Sequence, residues 1–287
     1  YGGVELRRLF FDEVYAGISA VNAGRTQIAE IDGQFYQNIL YLDQQFDACA
    51  ISNVHAWPWT KRGGAVYSWQ HLYHVSFLLG RVDSAVFSGE IFSYAGRYLF
   101  QIAGTAAGIA SRIKIHSAQA DAIPCGLFIS EGADKVMVDF GHLDIQGQNV
   151  AIWRDGQGTL GAVEGLPAIY IDAANARVNI ASLRTELHHM GLVTFTPRAK
   201  GGRISVGSVH GISYNLSNAG AAFDLGNTNP ATNGGFPVNR VTIGTDLFLE
   251  GPNPDPQIMP GSTGLLTLPG SGGGGTATDT IRSQDTL

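Results

Sequence analysis

Apolar residues recur along this chain in one short figure: two positions two apart, then a third three residues later. It stands at Val4, Leu6, Leu9, at Thr26, Ile28, Ile31, and at Cys49, Ile51, Val54. It returns at Val86, Ser88, Ile91, at Ile113, Ile115, Ala118, and at Val138, Phe140, Leu143. Val178, Ile180, Leu183 and Ile204, Val206, Val209 follow, and a loosened copy, Val241, Ile243, Leu247, closes the series. Alternation at period two buries one face of a strand, because successive side chains point to opposite sides. The step of three breaks that phase once, as a one-residue corner between two strands does. The middle residues lie 22, 23, 37, 27, 25, 40, 26 and 37 residues apart. A base period of about 22–27 residues with occasional insertions predicts stacked repeats, each one coil of a β-solenoid.

Further extended runs separate the figures: Ile39–Gln44, Ser76–Arg81, Tyr98–Ala103, Gly126–Glu131, Ala168–Ala173, Gly191–Pro197 and Ala221–Gly226. Three strands per coil, stacked in register, pair each inner backbone group with the coils above and below. Nine coils at ~4.8 Å each make a column of roughly 45 Å. Three insertions lengthen the period: Trp57–His74, Gln146–Leu166 and Asn227–Asn239. The first two leave from equivalent points and so face the same way, ~14 Å apart along the axis; the third leaves from another corner. Residues 1–250 thus read as the repeat domain. In residues 251–287, Pro252, Pro254, Pro256 and Pro260 argue against a central strand. Gly270 and Gly272–Gly275 then predict a flexible linker, followed by a polar end that is flexible or exchanged with another subunit.

Charged residues make up 15% of the chain and glycines number 38, against about a quarter charged in a typical soluble protein. That balance suits a tightly turned solenoid better than a helical bundle. A net charge of −6 leaves no basic footprint for nucleic acid. The longest apolar stretch, near Phe100–Ala110, falls short of the roughly 20 residues a membrane span needs, so no membrane insertion is expected. Nothing at the start reads as a signal peptide, and with Tyr1 in place of Met the sequence reads as a processed piece or a fragment. Cys49 and Cys125 are isolated, which predicts neither a disulfide framework nor a metal site. No cofactor is expected.

The stretch Phe46-Asp47-Ala48-Cys49-Ala50-Ile51-Ser52-Asn53-Val54-His55-Ala56-Trp57-Pro58 resembles a segment of bacteriophage tail spike or fibre proteins of the pectin-lyase-like fold. Ser76–Asp83 and Leu6–Glu13 are also similar to segments of those proteins. The resemblance covers residues 1–250 in pattern and these three stretches in sequence. It implies an all-β, right-handed parallel β-helix, a homotrimer, contacts with other virion proteins, and a place on the surface of a phage or phage-like particle. It further implies binding to host cell-surface polysaccharide, capsule or lipopolysaccharide, which some members cleave. No catalytic motif carries over. The alternatives are a polysaccharide depolymerase, hydrolase or lyase, on the same fold, and a bacterial β-helix adhesin or structural virion fibre.

Trp57, Trp59, Tyr67, Trp69 and Tyr73 crowd the first insertion, with Lys61, Arg62, His71 and His74. Aromatic faces stack on sugar rings and on cations, and charged groups meet acidic substituents. Trp57-Pro58 belongs to the resembling stretch and reads as a fold position, so Arg62, Trp69 and Tyr73 are the expected glycan contacts of one wall. Trp153, Arg154 and Asp155 supply the other wall. The histidine pairs His71/His74 and His188/His189 lack the thiolate or carboxylate partners of a zinc site, and both read as surface polar residues. Glycoside hydrolysis needs two facing carboxyl groups, and the candidates are Asp43 with Asp47, His142 with Asp144, and Glu186 beside Arg184. Asp43 and Asp47 sit in turn sequence where Asp caps backbone, and Arg184 with Glu186 reads as an ion pair. Asp172, Asn175, Asn179, Ser52 and Asn53 read as structural polar positions.

Overall fold

The computed structural model describes residues 3–57, 65–147, 166–186, 191–212, 222–226, 237–250, 264–269 and 278–282. Long strands recur through it: β1 (Val4–Val21), β2 (Thr26–Asp43), β3 (Gln45–Ala56), β5 (Val82–Tyr94) and β7 (Arg112–Asp121). They continue as β9 (Met137–Gln146), β11 (Arg177–Glu186), β13 (Arg203–Ile212) and β15 (Arg240–Leu249). Short strands alternate with them: β4 (Val75–Leu79), β6 (Tyr98–Ile102), β8 (Cys125–Ile129), β10 (Ile169–Ile171), β12 (Val193–Phe195) and β14 (Phe223–Asp224). One helix, α1 (Ala65–Tyr73), precedes β4, and β16 (Leu265–Pro269) and β17 (Thr278–Arg282) come last.

Strands β1–β16 belong to one large parallel sheet, with β17 antiparallel to β16 at its end. From β3 to β13 each strand pairs with the strand two further on, so long strands stack on long and short on short. The figure read from the sequence sets the register. Leu6, Ile28, Ile51, Phe87, Ile115, Phe140, Ile180, Val206 and Ile243 stand opposite one another down the long ladder. Leu40, Phe77, Phe100, Leu127, Ile169, Val193 and Phe223 do the same down the short one. Both ladders line one interior: the rings of Phe77 and Phe100 stack at 4.9 Å, and Phe87 of the long ladder meets each edge-on at 5.4 and 5.2 Å.

One figure was misphased. Ala85, Phe87 and Ile91 are the buried residues of that repeat, whereas Val86 and Ser88 are half-exposed. An extra residue at the corner, with Gly89 at φ 68°, makes the spacing two then four and shifts the register between Ser52 and Val54. The loosened copy at Val241–Leu247 carries the same device, as a shift between Val206 and Ser208. In the first three repeats the corner residue is Arg8, Glu30 or Asn53, each left-handed at φ 52–58°.

The first two insertions each join a long strand to a short one, β3 to β4 and β9 to β10, and the third joins β14 to β15. The first contains α1. The sheet also continues past residue 250, since β16 pairs with β15; residues 251–263, with their four prolines, lie outside the described residues.

Candidate functional site

Helix α1 brings Trp69 and Tyr73 together on one side and buries Gln70 and His71 on the other. The Trp69 ring lies 5.3 Å from Tyr73 and 5.6 Å from Tyr15 of β1, tilted by 42° and 48°. Tyr15 and Tyr73 are 60% and 58% exposed, and Trp69 is half-buried. Tilted rings leave part of each face open to a ligand. Trp57 instead packs on Tyr94 at 4.7 Å and Phe92 at 5.8 Å, pinning the start of the insertion to β5. Arg62, Trp153, Arg154 and Asp155 lie outside the described residues, as do Trp59, Lys61, His188 and His189.

A second aromatic row sits outside the short ladder. Tyr98, Phe128 and Tyr170 stack at 4.8 and 5.2 Å, nearly parallel, with Arg97 over Tyr98 at 5.3 Å. Each inner face there is covered by the next ring, so this row is packing. Together with Val75, Cys125 and Leu166 it forms a small apolar cluster where both insertions rejoin the sheet.

His71 and His74 are not surface residues. They are 4% and 1% exposed, and burial pushes the pKa of each down to about 4. The His74 Nε2 lies 3.1 Å from Ser76 Oγ, which lies 2.7 Å from Ser93 Oγ. This chain is enclosed and ties α1 to β4 and β5. Helical spacing turned both histidines inward together, where the sequence had them as surface polar residues.

The carboxylate candidates are engaged by the framework. Asp43 is 6% exposed, and its Oδ1 accepts from the backbone N–H of Gln44 and Arg81 and from the Thr105 hydroxyl, at 2.8–3.1 Å. Asp47 is exposed on the far side of the turn at Gln44. The guanidinium of Arg25 at 2.8 Å, then the Ala48 N–H, holds its carboxyl below the usual range. The two are not brought together. Arg184 reaches Asp144 on the neighbouring strand at 3.0 Å and Glu186 on its own at 2.5 Å. Burial opposes the Arg184 charge, but the two carboxylates outweigh it and raise its pKa. Asp144 and Glu186 are therefore bridged by a cation between them. His142 stands half-buried, opposite Ser117 and Ser182.

Sequence reading passed over one row. The outward position just before the first apolar residue of the figure carries Arg112, Met137, Arg177, Arg203 and Arg240, opposite one another on successive strands. The outward position two further on carries Lys114, Asp139, Asn179, Ser205 and Thr242. At the upper end charge is matched: Asp139 meets Arg112 at 3.5 Å and accepts from Asn179 at 2.7 Å. Arg177, Arg203 and Arg240 are exposed and have no acidic partner among the described residues. With Met137, Asn179, Ser205 and Thr242 they line a groove of about 290 Å³. Their backbones stand one strand spacing apart, ~4.8 Å, and two unit charges at that separation would repel by roughly 1 kcal/mol in a water-like dielectric. The signal was available: Arg precedes the figure's first position in five repeats, as Arg25-Thr26, Arg112-Ile113, Arg177-Val178, Arg203-Ile204 and Arg240-Val241.

Among the described residues, no cluster of three or more histidine, cysteine or carboxylate residues is placed to hold a metal ion, and no helix is long and apolar enough to cross a membrane. No family model, no curated protein and no solved structure matches this chain.

Proposed function

We propose that this chain is a right-handed parallel β-helix, assembled as a homotrimer, that serves as a virion-associated receptor-binding spike or fibre for host capsule or lipopolysaccharide. The alternation of two ladders around one interior supports the coil, and parallel strands joined by crossovers are overwhelmingly right-handed. The resemblance at Phe46–Pro58 supports the phage or phage-like particle. The observation that carries recognition of sugar is the Tyr15–Trp69–Tyr73 cluster, three tilted aromatic rings held on a rigid edge with accessible faces. Such rings cover the apolar faces of sugars. The second insertion, which contains Trp153, Arg154 and Asp155, leaves from the same point of the repeat three strands along the ladder, and its equivalent point of departure supports a second contribution to binding. The bridging of Asp144 and Glu186 by Arg184 supports binding in preference to cutting.

Retention on immobilised host polysaccharide, with no new reducing ends, is the expected result. Changing Trp69→Ala with Tyr73→Ala is expected to weaken retention at least tenfold, since two contacts of ~1 kcal/mol exceed the 1.4 kcal/mol of a factor of ten. New reducing ends or falling viscosity would replace the spike with a depolymerase. Unchanged retention in a folded double variant would remove α1 from the site.

A further inference from the structure

We infer that the groove of Arg177, Arg203 and Arg240 binds the carboxylates of a linear acidic polysaccharide. It is a different surface from the aromatic cluster, on the last long strands of the ladder, and its ligand class follows from its own residues. Three exposed arginines in register on adjacent strands set like charges side by side, and a chain of anions relieves their repulsion. Each guanidinium can grip a carboxylate with two parallel N–H donors. The spacing repeats at one strand, so the match is to a repeating ligand. Beside the arginines run Asn179, Ser205 and Thr242, whose neutral donors and acceptors suit the hydroxyls between the charges of a sugar polymer. No aromatic ring lines the groove, whereas single-stranded nucleic acid is held through base stacking. The protein carries a net charge of −6, so this cationic strip is a local exception to the general field and steers a polyanion to one place. Asp139, which stands opposite Asn179 on the neighbouring strand, is already held by Arg112 and Asn179 and does not compete.

Polygalacturonate is the probe, titrated calorimetrically into the full chain. Monomeric galacturonate, neutral dextran and single-stranded DNA serve as comparisons. Polygalacturonate is expected to bind, to weaken as salt screens the arginines, and to bind more tightly than the monomer. The triple change Arg177→Gln, Arg203→Gln, Arg240→Gln is expected to weaken it at least tenfold with the melting temperature retained. Arg25→Gln, which removes one positive charge elsewhere, is expected to leave it unchanged. Should the triple variant fail to fold, Arg203→Gln alone is expected to weaken binding at least twofold. Unaltered affinity in a folded arginine variant overturns the inference, and so does galacturonate binding as tightly as its polymer. DNA bound as well as polygalacturonate, with the same arginine dependence, replaces the acidic glycan with a general polyanion. A wild-type chain that ignores host polysaccharide but keeps arginine-dependent polygalacturonate binding counts against the spike reading alone.

Discussion

Single residues hold the turns of this protein in place through satisfied buried polar groups. Asn239 is fully buried. Its amide donates to the carbonyls of Ala199 at 2.9 Å and Leu225 at 3.0 Å, and its Oδ1 accepts from the Gly202 N–H at 2.9 Å. Asn239→Ala removes these three buried hydrogen bonds and is expected to cost about 3 kcal/mol in urea denaturation. His71 and His74 make stability depend on pH. Both titrate near 4 when folded and near 6.5 in an unfolded chain. Above the unfolded value neither state takes up these protons and stability is complete. As pH falls between the two values the unfolded chain binds protons that the folded one refuses. Stability then drops by up to ~1.4 kcal/mol per pH unit for each histidine. Thermal melts taken downward from neutral pH are expected to show this slope, and a His71→Gln, His74→Gln variant to flatten it. Burial raises the thiol pKa of Cys49 to about 11 and that of Cys125 higher still. Neither thiol is expected to react with a disulfide reagent at pH 8 until the protein is unfolded.

At the scale of the strand, the corner inside each long strand sets how closely neighbours pack. Gly141 and Gly207 occupy that corner in β9 and β13. A Cβ on Gly141 would lie 2.4 Å from the His116 carbonyl oxygen, and one on Gly207 2.4 Å from that of Ala181. These oxygens belong to strands fixed in the ladder and cannot withdraw. Gly141→Ala is expected to destabilise by about 2 kcal/mol or more, read as a lowered denaturation midpoint. Gly89 combines both constraints, a left-handed φ of 68° and the Asn53 side chain 2.0 Å from any added Cβ. The Asn53 oxygen accepts from the Glu90 N–H there at 3.3 Å, so the extra residue of that repeat is built into the wall.

For the whole molecule, the parallel stack makes every repeat depend on its neighbours, and its outward faces carry the chemistry. Ion pairs tie those faces along the axis: Arg8 to Glu30, Arg25 to Asp47, and Arg198 to Glu131 and Asp172. Arg177, Arg203 and Arg240 depart from this rule. Exposed Val4, Phe10, Phe46 and Phe248 stand on the outside as well, and a three-fold assembly would cover part of that surface. Light scattering is expected to give three times the 30.5 kDa of the chain; a clean monomer removes the trimer and leaves the repeat architecture untouched.

What the sequence by itself determined was the repeat. Burial alternates within a strand and breaks at a corner, and both are local rules, so Ile28, Ile51, Ile115 and Ile180 could be placed opposite one another from spacing alone. The equivalence of the first two insertions followed from the same count. Local rules did not settle how many residues a corner holds. Val86 and Ser88 fit the pattern as well as Ala85 and Phe87 do, and only the packing of Phe87 against Phe77 and Phe100 selected the phase. Nor did they reveal which side of the first insertion faces inward, because the burial of His71 and His74 depends on a helix docking against strands distant in sequence. The candidate sites divide in the same way. Trp69 and Tyr73 were legible as a crowd of aromatics, but Tyr15, which completes them, lies more than fifty residues earlier. Arg177, Arg203 and Arg240 are separated by unequal stretches of chain, and only strand register brings their charges into one row.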